Sequence, residues 1–145
     1  MHISIDTNMM REIIMDHYSS PLHKLTPKNE DEYKTIVMDS DSCIDNIKIF
    51  IKEENGIIKE ACFDGVACAI STASTDILCD LITGKTIDQA NYIIEQYENM
   101  IYEKEYDESV LEELVAFMNT HKQASRIKCA TIGFTGVSSI INGKK

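Results

Sequence analysis

The apolar positions begin with a helical period and change to a strand period before residue 40. A helix is predicted over Met9 to Tyr18, because four residues there share one face: Met10, Ile13, Ile14 and His17. The Ser19-Ser20-Pro21 break ends it. Residues 19 to 34 are polar and contain both prolines, so we predict a connector that lies over the surface. Residues 35 to 38 then indicate a strand.

Alternation next predicts a β-hairpin over residues 47 to 64. The isoleucines from Ile47 to Ile51 alternate with other residues ahead of Asn55-Gly56. A two-residue turn would set Ile49 against Cys62, whereas a three-residue turn with Gly56 left-handed would set Ile49 against Ala61. We predict the second register, because it puts the apolar side chains on one face.

Helical patterns dominate the second half of the chain. Four helices are predicted: Cys68 to about Thr83 with Gly84 as its stop, Thr86 to about Glu103 with a capping box, Ser109 to Met118, and Arg126 to about Ile141. Strands followed by helices predict an α+β fold, with a small three-stranded antiparallel sheet and helices packed on one side. The length, 145 residues, predicts a single domain over 1–145.

Composition limits the kinds of partner and the cellular compartment that we expect. Against 24 acidic residues there are 14 lysines and arginines, and the net charge of −10 disfavours a nucleic-acid partner. Apolar runs are too short for a membrane span, and residues 1 to 6 lack the features of a signal peptide, so we expect no membrane association and a cytoplasmic protein. Its five cysteines are then expected to be reduced thiols.

Three of the cysteines are candidate metal ligands by their position. Cys43 and Asp45 are two residues apart in a predicted loop, and residues i and i+2 of an extended chain project the same way. Cys68 follows the second hairpin strand, and Cys129 is predicted in the first turn of the last helix. Helix N-termini favour the thiolate at both positions.

The other two cysteines fit structural roles. Cys79 lies three helical turns from Cys68, roughly 16 Å along the axis, and therefore cannot share its metal. Cys62 falls inside a strand, where a thiol packs as a small apolar residue. On spacing alone, ordinary core packing is the simpler interpretation of all five cysteines, since none has the C-x-x-C spacing of a zinc finger.

Four segments carry a resemblance to a known family. They are Glu12 to Tyr18 followed by Pro21, Cys43-Ile44-Asp45, Gly65 to Ser71 followed by Ala73-Ser74, and Arg126 to Thr131. Together they resemble the IscU/SufU family, the U-type proteins of iron-sulfur cluster assembly, with Ile44 and Ala67 standing where the family has glycines. Lys128, where the scaffold branch has His, and a long helical stretch before Cys129 make the chain most similar to the zinc-dependent sulfurtransferase branch, SufU.

The resemblance implies a function and a set of ligands. Cys43, Asp45, Cys68 and Cys129 would hold one zinc ion, and a pyridoxal-phosphate-dependent SufS-type cysteine desulfurase would offer a His to that zinc and release Cys43. The Cys43 thiolate, as catalytic residue, would accept the partner's persulfide sulfur for a SufBCD-type cluster scaffold. Two alternatives remain: an IscU-type scaffold that builds a transient iron-sulfur cluster, and an adaptor whose zinc only fixes the fold.

Overall fold

The computed structural model describes residues 6–39 and 44–143 and consists of a small sheet with helices. Its main elements, in chain order, are α1 (Thr7–Ser19), β1 (Lys34–Asp39), β2 (Asn46–Glu54), β3 (Ile57–Val66), α2 (Ala69–Ile82), α3 (Ile87–Ile101) and α4 (Ala124–Ile141). Short 3₁₀ helices cover Glu30–Glu32, Glu108–Val110, Glu112–Phe117 and Thr120–Lys122. In the part of the chain that the structure describes, no helix is long and apolar enough to cross a membrane.

The sheet is antiparallel in the order β1-β2-β3, which confirms the predicted α+β architecture. The predicted hairpin register is wrong, because Ile49 lies opposite Phe63 and not opposite Ala61. Asn55 and Gly56, with φ of 55° and 77°, form a two-residue turn, and the pairing then shifts between Lys52 and Glu53. The bulge shifts the register by one residue beyond the turn, so the apolar side chains of the two strands still lie on one face, as predicted.

Helices α2 and α4 cover the inward face of the sheet. Ile49 and Phe63 are fully buried there. A Cβ built on Gly133 of α4 would lie 2.3 Å from Oγ1 of Thr75 in α2, so the close approach of the two helices requires glycine at position 133. Outside them, α3 begins with the predicted capping box and stacks Tyr97 on Phe134 of α4 at a ring-centroid distance of 3.8 Å.

Helix α1 is attached to α2 through a buried histidine. His17 Nδ1 lies 2.6 Å from Asp76 Oδ2, and His17 Nε2 lies 3.0 Å from Glu113 Oε1. Asp76 also accepts the backbone N–H groups of Leu22 and His23, at 3.1 and 2.8 Å. Burial alone would lower the pKa of His17, but the hydrogen bonds to Asp76 and Glu113 raise it above its ordinary value.

Two predicted boundaries in the second half need correction. The short helix predicted over Ser109 to Met118 is instead a pair of 3₁₀ segments, because Glu112, the first residue of the second segment, has a φ of 47°, which cannot continue an α-helix. Helix α4 begins at Ala124, two residues before the predicted Arg126.

The connector between α1 and β1 does more than lie over the surface. At its middle, Phe63 of β3 donates its N–H to the carbonyl of His23 at 3.0 Å and accepts the N–H of Leu25 at 2.8 Å. These two bonds form a parallel bridge at Lys24 along the outer edge of β3. Further along, the ring of Tyr33 packs edge-on against Phe50 on the outer face of the sheet.

Candidate metal centre

Three of the four predicted ligands converge at one end of the sheet. The ligand atoms of Asp45, Cys68 and Cys129 all lie within 4.8 Å of one another. Within residues 6–39 and 44–143, this is the one group of three or more histidine, cysteine or acidic side chains close enough to hold a metal ion. Cys43, the fourth predicted ligand, lies outside the described residues.

Cys68 is placed by the junction between β3 and α2, as the sequence predicted. It is the N-cap of α2, with extended backbone angles, and its sulfur accepts the N–H of Ser71 at 3.5 Å. The unsatisfied N–H groups of a helix start favour negative charge. The sulfur of Cys68 therefore lies at the partly positive end of α2, a position that suits a negatively charged ligand.

Gly65 allows β3 to approach β2 just before this junction. Its φ is +124°, and a Cβ built on it would lie 2.3 Å from the carbonyl oxygen of Asn46. Because Asn46 directly follows Asp45, the close contact at Gly65 holds the carboxylate loop beside the segment that leads to Cys68.

Asp45 is 2% exposed and its carboxylate is bound to the start of α2. Oδ1 accepts the backbone N–H of Cys68 at 2.9 Å, and Oδ2 accepts a hydrogen bond from the hydroxyl of Ser71. A carboxylate oxygen carries two lone pairs, so a hydrogen bond to it does not exclude a metal on the same oxygen. Sequence reasoning missed Ser71, although its place three residues after an N-cap is where a side chain can reach back to the helix start.

Cys129 approaches the group from α4. The prediction that it lies in the first turn is wrong, because the helix starts at Ala124 and puts Cys129 in the second turn. Its thiol is buried and lies 4.0 Å from the carbonyl oxygen of Ser125. The neighbouring cations, Arg126 and Lys128, are exposed.

Cys62 and Cys79 lie outside this group, in agreement with the structural roles predicted for them. Burial, with the nearby charges of Glu60 and Asp64, raises the pKa of Cys62 to about 11. Complete burial raises the pKa of Cys79 well above its usual value. Both thiols therefore stay protonated at neutral pH, which disfavours metal binding and nucleophilic attack.

The donor set and its dimensions fit zinc. Zinc prefers thiolate, imidazole and carboxylate ligands in a tetrahedron with bonds of about 2.0–2.3 Å, which places neighbouring ligand atoms roughly 3.3–3.8 Å apart. Two sulfurs and one carboxylate oxygen within 4.8 Å would need to move closer by at most about 1.5 Å to hold such an ion.

The fold and the site together define a small α+β protein with a cysteine and aspartate centre. The model of the NifU-like N-terminal domain matches residues 9–130. The chain therefore belongs to the NifU-like N-terminal domain family, which includes the IscU and SufU proteins of iron-sulfur cluster assembly. This confirms the family resemblance drawn from the sequence.

Among curated relatives, the zinc-dependent sulfurtransferase SufU of Bacillus subtilis is 33% identical over 132 residues, which cover 90% of this chain and 87% of the relative. The iron-sulfur cluster assembly scaffold protein IscU of Thermotoga maritima is 30% identical over 123 residues, covering 83% and 84%. A crystal structure from Fervidobacterium islandicum, described as a SUF-system scaffold protein, superposes with a TM-score of 0.82 at 28% identity, covering 90% of this chain and 94% of that one.

Proposed function

We propose that this protein is a zinc-dependent sulfurtransferase that accepts persulfide sulfur on Cys43 and passes it to iron-sulfur cluster assembly. The observation that carries the proposal is that Asp45, Cys68 and Cys129, which lie far apart in the sequence, converge on one potential tetrahedral centre. The similarity to the Bacillus subtilis sulfurtransferase over most of both chains supports zinc as the metal.

Cys43 completes the proposed ligand set. It precedes Asp45 by two residues in the sequence, and the family resemblance assigns a ligand to this position. A fourth ligand makes a closed site of three thiolates and one carboxylate, whose negative charge exceeds what Zn²⁺ neutralises.

The four proposed ligands have two roles: three hold the metal and one accepts sulfur. Asp45 and Cys68 are tied to the start of α2, and Cys129 is buried in α4, so these three retain their places. Bound zinc would keep the thiols in the thiolate form. Cys43 is the ligand that we propose exchanges: its thiolate attacks the outer sulfur of a desulfurase persulfide, forms the new sulfur–sulfur bond, and releases the desulfurase cysteine as thiolate.

The surface beside the centre is suited to a protein partner. Ile44 is 67% exposed and Val66 is 62% exposed, and these two apolar residues directly precede Asp45 and Ala67. Exposed apolar groups around a site typically mark a protein interface. We propose a pyridoxal-phosphate-dependent, SufS-type cysteine desulfurase as this partner, a SufBCD-type scaffold as the recipient of sulfur, and the cytoplasm as the location.

A second function, the assembly of a transient iron-sulfur cluster on the same residues, is favoured by a different observation. The Thermotoga maritima relative is a scaffold protein, and the chain covers most of it at 30% identity. Two thiolates and a carboxylate suit iron as well as zinc. Anaerobic reconstitution separates the two functions, because a coloured, stoichiometric cluster that transfers to an apoprotein would favour the scaffold.

The test of the sulfurtransferase is to incubate the zinc-loaded protein with a cysteine desulfurase and cysteine and to locate the added sulfur by peptide mass spectrometry. We expect a mass increase of one sulfur atom on Cys43 and none in a Cys43→Ser variant. Cys62→Ser is the matched control, because it removes a buried thiol outside the centre and should leave the sulfur uptake unchanged. Sulfur that stays on the protein after Cys43→Ser would contradict the proposal.

The partner surface has its own test. Val66→Asp places a charge on the exposed apolar surface and should slow sulfur uptake while zinc content stays the same. Leu25→Asp changes an apolar side chain of similar exposure, 49%, on the connector and serves as control. Equal sulfur uptake by both variants and the wild type would exclude Val66 from the interface.

A further inference from the structure

We propose that Ser71 is a positioning residue of the metal centre, whose hydroxyl fixes the orientation of the Asp45 carboxylate. The inference rests on the proposed function, because it assigns a role toward the same metal. Ser71 is fully buried, although a serine in the first turn of a helix is more often solvated.

The hydrogen bonds of Ser71 converge on two of the proposed ligands. Its hydroxyl donates to Asp45 Oδ2 and lies 3.5 Å from the sulfur of Cys68, and its backbone N–H donates to the same sulfur at 3.5 Å. The backbone N–H of Ser71 is thus the donor to Cys68, and its hydroxyl is the donor to Asp45.

The arrangement differs from an ordinary helix cap. In a capping box, the side chain three residues after the N-cap accepts the N-cap N–H directly. Here the Asp45 carboxylate, from another part of the chain, accepts the N–H of Cys68 at 2.9 Å, and Ser71 holds the second oxygen of that carboxylate. Both oxygens are therefore held, which fixes the rotation of the carboxylate about its Cβ–Cγ bond.

Removal of the hydroxyl should loosen the ligand without removing it. With Ala at position 71, Oδ2 of the buried Asp45 loses the donor that Ser71 supplies, so the orientation of the carboxylate is held less tightly. Hydrogen-bond partners of metal ligands typically contribute about 10–100-fold to metal affinity.

The experiment compares zinc affinities by competition with a chromophoric chelator. We expect Ser71→Ala to weaken zinc binding by about 10-fold or more relative to the wild type. Ser74→Ala is the matched control, because Ser74 is an equally buried serine of α2 whose hydroxyl donates to the carbonyl of Ser71 at 3.3 Å and to none of the three ligands that the structure describes. Ser74→Ala should bind zinc as the wild type does.

Two further measurements separate positioning from a general loss of stability. Urea unfolding of the metal-free variants shows whether each is folded, and the sulfur-to-metal charge-transfer bands of the Co²⁺-loaded proteins should change in Ser71→Ala alone. Ser71→Thr keeps the hydroxyl and should restore the affinity. Equal zinc affinities for folded Ser71→Ala and Ser74→Ala would overturn the role of Ser71 and leave the proposed function standing. Failure of the wild type to bind zinc would overturn the proposed function as well.

Discussion

Replacement of Gly65 by alanine should destabilise the protein at the point where the sheet meets the candidate metal centre. The residue has a φ of +124°, and a Cβ would lie 2.3 Å from a backbone oxygen of Asn46, which no side-chain rotation can move away. A non-glycine residue in a sparsely populated backbone region costs about 1–3 kcal/mol. Overpacking that forces a backbone shift costs about 1–3 kcal/mol more.

The expected loss for Gly65→Ala is therefore about 2–6 kcal/mol, a large share of the roughly 5–15 kcal/mol that typically stabilises a folded protein. The Gly84→Ala variant measures only the cost of placing a non-glycine residue at a positive φ. Gly84 also has a positive φ, +87°, but among the described residues no atom beyond its chain neighbours lies within 4 Å of the place that its Cβ would occupy, so this variant should lose only about 1–3 kcal/mol.

Urea unfolding with a chelator present measures both losses without the contribution of bound metal. We expect Gly65→Ala to lose about 1–3 kcal/mol more of the free energy of unfolding than Gly84→Ala does, with the same slope of that free energy against urea concentration. Losses that agree within about 0.5 kcal/mol would refute the steric argument and the role of Gly65 in holding the carboxylate loop.

Three further outcomes are expected. Because the pKa of His17 is raised in the folded protein, its bonds to Asp76 and Glu113 stabilise the fold fully below the unfolded pKa of about 6.5, and this stabilisation is lost as the pH rises through the folded pKa. From about pH 6 upward, the melting temperature should therefore fall more steeply with pH for the wild type than for His17→Gln. Parallel curves of melting temperature against pH would contradict this. Thr75 Oγ1 is buried without a hydrogen-bond partner among the described residues, so Thr75→Val should raise the free energy of unfolding by about 1 kcal/mol in urea titrations, and a loss would show that the hydroxyl is needed. Cys62, with its pKa of about 11, should resist iodoacetamide at neutral pH in the native protein and react after denaturation.

The sheet and the main helices could be predicted from the sequence because their signals are local. Alternation of isoleucines marks β2, and the capping residues Thr86 and Gln89 mark the start of α3. The hairpin register could not be predicted, because the bulge beyond Asn55-Gly56 depends on which side chains the helices cover. The α-helix predicted after Ser109 failed because apolar spacing does not show the positive φ of Glu112.

The candidate site was predictable as a set of residues and not as a structure. Element ends and the family resemblance selected Asp45, Cys68 and Cys129, and the fold brings the three together. Nothing in their spacing showed that Asp45 would bind the N–H of Cys68 and the hydroxyl of Ser71, since this contact joins a loop and a helix 23 or more residues apart. Tertiary contacts of this kind have no periodic signal.

The bridge at Lys24 also bears on how the protein avoids aggregation. An outermost strand presents unpaired N–H and C=O groups on which a strand from another molecule can assemble. By occupying both backbone groups of Phe63, the connector blocks the middle of β3 to a foreign strand. The edge strand that leads into the candidate metal centre is thus protected at its middle, while its end, at Val66, stays exposed.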